Sequence, residues 1–529
     1  MRKLLLVFFC LPFLIQAQNL RSGGKLKPEQ AIIDIRFYSI VLNVEPDEKR
    51  IDGHTEIDLI LSEASPVLLF DLWNGMQVQN VWVNNRLQTF KHTDEHLLYI
   101  SGSQPFKAGK TKVKIAYGGK PAIAERPPWS GGFQWERDSA GNPWIAITCQ
   151  MEGAKIYFPC KDHPSDEPNE GAEMIITVPK GLTVAGPGIL KKVSHGKNTS
   201  TFHWRTNYTI NNYGIVFNVG KYALVTREYT TINGNKVPMH YYVLEENKDK
   251  APHLLYLLER SARVLEKYFG EYPFVKEKIG IAETPHLGME HQTMNAYGNQ
   301  YRYSKIGGED FDWLLHHEFG HEWWANKVSN KDWAHMWIQE GICSFGDHLF
   351  TLEMEGEEAY NERMRETGRR TQNQKPVVQG EVVDSDDTYH ADVYGKGAFF
   401  MHTLKYILTD EVFYPILMKL ATDEKYTYHN MITTYDVEQL FSKESGRELK
   451  AFFDFFLRTT DKLEISVRQI SADTYHIKLL NYNGSLPLEI VTENGAQRME
   501  LDQKGIRIKA VDWPRIDPQG FYLKRVVQE

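Results

Sequence analysis

From Ile33 to about Tyr222 hydrophobic and polar residues alternate in short runs such as IDIRFYSIVLNV and TEIDLILS, divided by turn clusters such as EPDEKR. A period of two carried by β-branched and aromatic residues predicts an antiparallel β domain. From about residue 250 the period changes. APHLLYLLERSARVLEKYF, DFDWLLHHEFGHEWWANKV, AFFMHTLKYIL and DVEQLFSKES space their apolar residues three and four apart, which predicts a helical domain with a small sheet at its start. Alternation returns after about residue 460 in KLEISVRQI, YHIKLLNY and RIKAVDW, so a small β domain closes the chain. The expected class is multidomain α+β, with an N-terminal β domain over 31–225, a mainly helical domain over 226–458 and a C-terminal β domain over 459–529. The polar, glycine-containing residues 18–30 read as a mobile arm or linker, and there is no internal repeat.

At 529 residues, with 42% apolar and 25% charged residues, the chain can bury several hydrophobic cores and falls outside the disordered, collagen and coiled-coil classes. A net charge of −8 argues against a nucleic-acid partner, which calls for a basic face. Arg2 and Lys3 precede an apolar run from Leu4 to Ile15 that is short for a membrane span, and the small residue Ala17 ends it. Residues 1–17 therefore read as an export signal, leaving a periplasmic or extracellular protein without a membrane span. Only Cys149, Cys160 and Cys343 remain after its removal, too few for a disulfide scaffold; a Cys149–Cys160 bridge or buried thiols both fit.

The chemistry concentrates in His317-Glu318-Phe319-Gly320-His321, inside a helical pattern read from about Glu309 to Val328. One helical turn separates the two histidines, so both imidazoles can reach one metal ion, and Glu318 can face a water at that ion as a general base. Glu340 follows His321 by 19 residues in the helical stretch Trp337–Gly341. Two helices joined by a turn at Ser329–Asp332 would return it to the histidine face, completing a two-histidine, one-carboxylate site for one Zn2+ per chain. His316, about 100° away on the helix, reads as a packing residue. Trp313, Trp323, Trp324, Trp333 and Trp337 read as core.

HEFGH followed by this glutamate resembles the gluzincin aminopeptidases related to aminopeptidase N and leukotriene hydrolase. Their Gly-x-Met-Glu-Asn strand is matched by HLGMEHQ at 286–292, with Leu287 and His291 as departures. The resemblance implies a thermolysin-like catalytic domain followed by a small β-sandwich. It also implies substrate-binding roles for Gly288 and Met289, and Glu290 as the residue holding a peptide's free α-amino group. CQMEG at 149–153 implies that Gln150 and Glu152 face the same pocket, Glu152 more directly. DVYGKGA at 392–398 implies a catalytic tyrosine at Tyr394, a phenol that can donate a hydrogen bond to an oxyanion, with Tyr389 as a weaker neighbour.

The function expected on these grounds is an exported zinc aminopeptidase acting on peptides with a free N-terminus. A zinc endopeptidase would share the metal helix without needing Glu152 and Glu290. An inactive peptide-binding protein on the same scaffold is the reading that Glu318 and Tyr394 oppose. The acidic residues Glu381, Asp384, Asp386, Asp387 and Asp392 read as a solvated loop with Asp392 capping a helix, or as a negative rim that attracts amines.

Overall fold

A computed structural model describes residues 20–528. In the first domain Ile33–Glu45 lies at the centre of an eight-stranded sheet, antiparallel to Arg50–Leu61 and parallel to Ala172–Pro179. Its alternation is physical. Tyr38, Ile40 and Leu42 point into the core, and a register shift between Ile35 and Phe37 lets Ile35 face the same way. That core is shared with Ile145, Ile147, Val184 and Val219 from a four-stranded sheet that ends beside the catalytic domain.

The second domain opens on the predicted small sheet, whose strands run in the order Tyr222–Thr230, Lys236–Leu244, Ile279–Glu283, Asn295–Tyr297 and Gly288–Met289. Its first strand runs across residue 225, and its last is an edge strand carrying the Gly-Met pair. Ala251–Phe269 forms a helix over the predicted stretch, burying Leu254, Leu258 and Leu265. The histidine helix is shorter than the periodicity suggests, Trp313–Gly320, because Asp312 caps its start by accepting from the Leu315 amide. The chain leaves it through turns at 321–332, and the glutamate helix, Trp337–Glu355, follows. Gly395–Leu408 then forms the tyrosine helix.

Two glycines set the spacing between the last two helices. A Cβ on Gly341 would lie 2.8 Å from the Gly397 Cα and 2.9 Å from the Val393 carbonyl oxygen, so the backbones meet directly. This contact brings Glu340 and Tyr394, each beside one of these elements, to the same end of the crossing.

The last domain stacks a four-stranded sheet on a three-stranded one, and its core is continuous with that of the helical domain. Phe521 lies flat on Tyr406, ring centroids 3.9 Å apart. No helix of the described residues is long and apolar enough to cross a membrane. Cys149, Cys160 and Cys343 are buried free thiols. The leader assigned to residues 1–17 lies outside the described residues.

One expectation changes. The segment read as a mobile arm is packed from residue 20 onward: Leu20 is buried, Ser22 and Gly24 hydrogen-bond to two other segments, and Pro28–Ala31 forms a helical turn. Polar composition suggested solvation, but the amides of Ser22, Gly24, Gln30 and Ala31 and the Ser22 hydroxyl are satisfied by protein groups.

The helix crossing generates a test. Gly341→Ala should lower the free energy of unfolding by about 1–3 kcal/mol, the usual cost of overpacking a close contact. The midpoint of urea unfolding measures it, and an unchanged midpoint would show that the crossing has slack.

Candidate active site

His317 and His321 project from the last turn of the histidine helix, and their Nε2 atoms lie 3.2 Å apart. Glu340 reaches them from the facing helix, its Oε2 standing 3.3 Å from His321 Nε2 and 3.7 Å from His317 Nε2. Each ring is fixed from behind. His317 Nδ1 donates to Asp347 Oδ2 at 2.9 Å, and His321 Nδ1 donates to the Trp324 carbonyl at 2.7 Å. Protons on both Nδ1 atoms leave two Nε2 lone pairs aimed at each other and at a carboxylate oxygen that is buried without a hydrogen bond. Such an arrangement repels itself unless a cation stands between the three atoms.

The spacing fits zinc. A tetrahedral ion with bonds of about 2.0–2.1 Å needs ligand atoms about 3.3–3.4 Å apart, close to the three distances here. Cys343 also lies near the two rings, but its thiol donates to the His317 backbone carbonyl at 3.1 Å, on the side of Gly320. The donor set that converges is therefore His317, His321 and Glu340.

Glu318 faces a cleft of about 530 Å³ whose wall includes Gly288, Met289, Glu290 and Tyr394. Gly288 is needed there, since a Cβ would fall 2.4 Å from Glu318 Oε1. Burial pushes the Glu318 carboxyl up to about 8, with Glu290 also raising it against the opposing pull of His317. Glu290 is buried too, and a carboxylate oxygen of each of these two acids and a ring nitrogen of His321 fall within 4.8 Å of one another. Glu290 Oε1 accepts from Gln150 Nε2 at 2.7 Å and from the Tyr213 hydroxyl at 2.8 Å.

Gln150, not Glu152, touches Glu290 and lines the cleft, while Glu152 accepts from the Gly131 amide at 2.7 Å. Its other oxygen is buried without a partner, and burial pushes the carboxyl up to about 7. Gln150 and Glu152 lie in a turn beyond the strand Pro143–Thr148, where no periodicity decides which of them reaches a partner in another domain.

Tyr394 stands where the tyrosine helix begins, its ring centroid 6.2 Å from that of His317 and its hydroxyl 3.1 Å from the Tyr389 hydroxyl. Burial, reinforced by Glu340, drives the phenol well above its usual range and keeps its proton in place. Asp392 caps no helix. It accepts from the Gln372 and Asn373 amides and is buried. His316 packs between Phe311 and Phe350, as expected of a residue turned off the metal face. Trp323, Trp324, Trp333 and Trp337 are core, but Trp313 is 48% exposed and lines the cleft, one helical turn before His317.

Asp347, Tyr213 and Asn326 were not singled out from sequence. Asp347 follows Glu340 by seven residues on the same helix, so a two-turn spacing could have found it. Tyr213 had no such signal. Asn326, which donates to the Glu290 carbonyl at 2.9 Å, lies in the turns that the periodicity had read as helix.

Residues 258–456 match the peptidase family M1 domain. The chain is 27% identical over 213 residues to aminopeptidase N of Escherichia coli, covering 37% of this chain and 24% of that protein. It is 22% identical over 379 residues to aminopeptidase M1-B of Oryza sativa subsp. japonica, covering 68% of this chain and 41% of that one. The chain thus spans less than half the length of either relative. Its fold is that of an M1 zinc metallopeptidase from Deinococcus radiodurans, crystallised as a mutant with a Tyr-Ser-Ala substrate: the TM-score is 0.68 at 20% identity, with 83% of this chain and 96% of that one covered. Residues 258–456, which carry HEFGH and Glu340, are thus similar to the peptidase family M1 domain, within a fold like that of an M1 zinc metallopeptidase.

Proposed function

We propose that the protein is an exported zinc aminopeptidase that removes single residues from the free N-terminus of peptides. The observation that carries this reading is the position of Glu290: a buried carboxylate, held by Gln150 and Tyr213, stands at one end of the cleft beside Glu318 and His321. Two buried acids so close are costly together unless a cation joins them, and a peptide's terminal ammonium is such a cation. An ammonium pinned there sets the scissile bond one residue from the metal ligands.

His317, His321 and Glu340 would hold the zinc, which when bound would supply Lewis-acid chemistry towards the scissile carbonyl. Glu318 takes the proton of the attacking water on its carboxylate and returns it to the leaving amine. Tyr394, protonated throughout, donates its hydroxyl to the oxygen on which negative charge builds. Asp347 and the Trp324 carbonyl hold the imidazoles in the tautomer that presents Nε2 to the ion.

Three outcomes check this reading. Glu318→Gln should retain one zinc per chain by elemental analysis while turnover falls about 10²-fold or more; near-normal turnover would remove Glu318 from the chemistry. A peptide acetylated at its N-terminus should resist cleavage, whereas its free form loses single residues in order, as read by mass spectrometry. Internal cuts in both would identify an endopeptidase. Glu290→Ala should weaken catalysis on free-amine peptides by about 2–5 kcal/mol, the cost of truncating one partner of a buried charge pair. Export is tested separately: the N-terminal sequence of the secreted protein should begin at Gln18.

A further inference from the structure

Residues 21–24 lie between two segments that both end at the cleft. On one side Ser22 donates its amide to the Met151 carbonyl at 2.9 Å, one residue from Gln150, and its hydroxyl lies 3.2 Å from Asp162. Lys155 binds the Arg21 carbonyl and Asp162 together, and the His163 ring reaches the Gly24 carbonyl at 2.9 Å. On the other side the arm pairs antiparallel with residues 383–385. Gly24 donates to the Val383 carbonyl at 3.1 Å, and the Ser385 amide donates to the Ser22 carbonyl at 3.0 Å. Arg21 adds ion pairs to Asp384 at 3.0 Å and Asp386 at 3.1 Å. Ser385 closes the set, its hydroxyl donating to the same Met151 carbonyl at 2.6 Å.

The segment so gripped leads directly to the tyrosines. Ser385–Thr388 is a single helical turn, the Tyr389 amide donates back to Ser385, and the Tyr389 hydroxyl meets that of Tyr394. Between 381 and Tyr389 the other ties to distant segments are Val383 to Asp332 at 3.4 Å and Gln379 to the Asp387 carbonyl, while His390 and Asp392 beyond it bind the Pro376 carbonyl and the Gln372 and Asn373 amides. A one-turn helix has too little internal hydrogen bonding to hold its own place. Gly23 is built for the fit, with φ +79° and a site where a Cβ would fall 2.4 Å from the Trp333 ring.

We infer that the N-terminal arm, residues 21–24, is a strap that joins the amine-binding wall at Gln150–Met151 to the tyrosine wall at 383–394 and so positions Tyr394 for catalysis. Arg21, Ser22 and Gly23 are positioning residues that touch no substrate. The acidic residues Asp384 and Asp386 are then neither a free solvated loop nor an open rim: they are the arm's counter-charges. This rests on the aminopeptidase reading for its effect on turnover, but the strap itself is a statement about structure.

The test uses the full chain with two independent lesions in the arm. Gly23→Val drives a branched side chain into Trp333 and a conformation it disfavours, lifting the arm; Arg21→Ala removes the two ion pairs and leaves the backbone intact. Hydrogen–deuterium exchange at 382–389 should quicken in both, with zinc content unchanged. On a free-amine tripeptide kcat should fall on the order of tenfold to a hundredfold in Gly23→Val, with KM changing less, because a misplaced oxyanion donor is felt in the transition state. Arg21→Lys should restore more activity than Arg21→Ala. Unchanged exchange at 382–389 in both variants overturns the strap, and faster exchange with unaltered kcat overturns its role in positioning Tyr394. Should Gly23→Val fail to fold, Arg21→Ala decides by the same readings. A parent chain that cleaves no free-amine peptide would refute the aminopeptidase reading, while the exchange measurement would still decide the strap.

Discussion

Three donor atoms that repel one another are held 3.2 to 3.7 Å apart in a buried site, and much of the molecule serves to keep them there. Two imidazole lone pairs and a carboxylate gain nothing from this proximity unless an ion joins them, so the scaffold must impose it. Outer hydrogen bonds from Asp347 and Trp324 fix the rings, and the glycine contact between Gly341 and Gly397 fixes how near the glutamate and tyrosine helices can come. Gly288 lets the edge strand approach Glu318 closely, since a Cβ there would displace the Glu318 carboxylate. Small residues at close contacts thus set the size of the site, while polar ones set its orientation.

A second constraint runs across the cleft. Glu290 comes from the catalytic domain, but Gln150 and Tyr213, which hold its carboxylate, come from the first β domain. The proposed amine site exists only where the two domains meet, so substrate recognition depends on how they dock. The buried polar contacts along that junction, including Ser329 on Glu167 at 2.7 Å and Asn211 on Asn326 at 3.0 Å, favour one docking over its near neighbours, because a small slip would leave desolvated groups unpaired. The arm at residues 21–24 lies on the same junction.

By itself the sequence determined the order of domains, the helices with long apolar stripes, and the clustering of two histidines with one glutamate. A helix converts spacing into geometry, so His317, His321 and Glu340 could be read as one site, and by the same rule Asp347 was legible two turns beyond Glu340. The strand Ile33–Glu45 was legible because its alternation outlasts a bulge. Tertiary structure alone decided what depends on contacts between distant segments. Tyr213 touches Glu290 from a segment with no periodicity, Asn326 does so from turns whose spacing reads as helix, Gln150 rather than Glu152 meets Glu290, and Trp313 turns to the cleft although the other tryptophans around the histidine helix are core. The arm is the plainest case: its polar composition matches a solvated linker, and only the surrounding donors and acceptors make it part of the fold. Local spacing fixes which side chains share a face, but which partner a polar group meets is settled by how whole elements pack, and that information is spread over the entire chain.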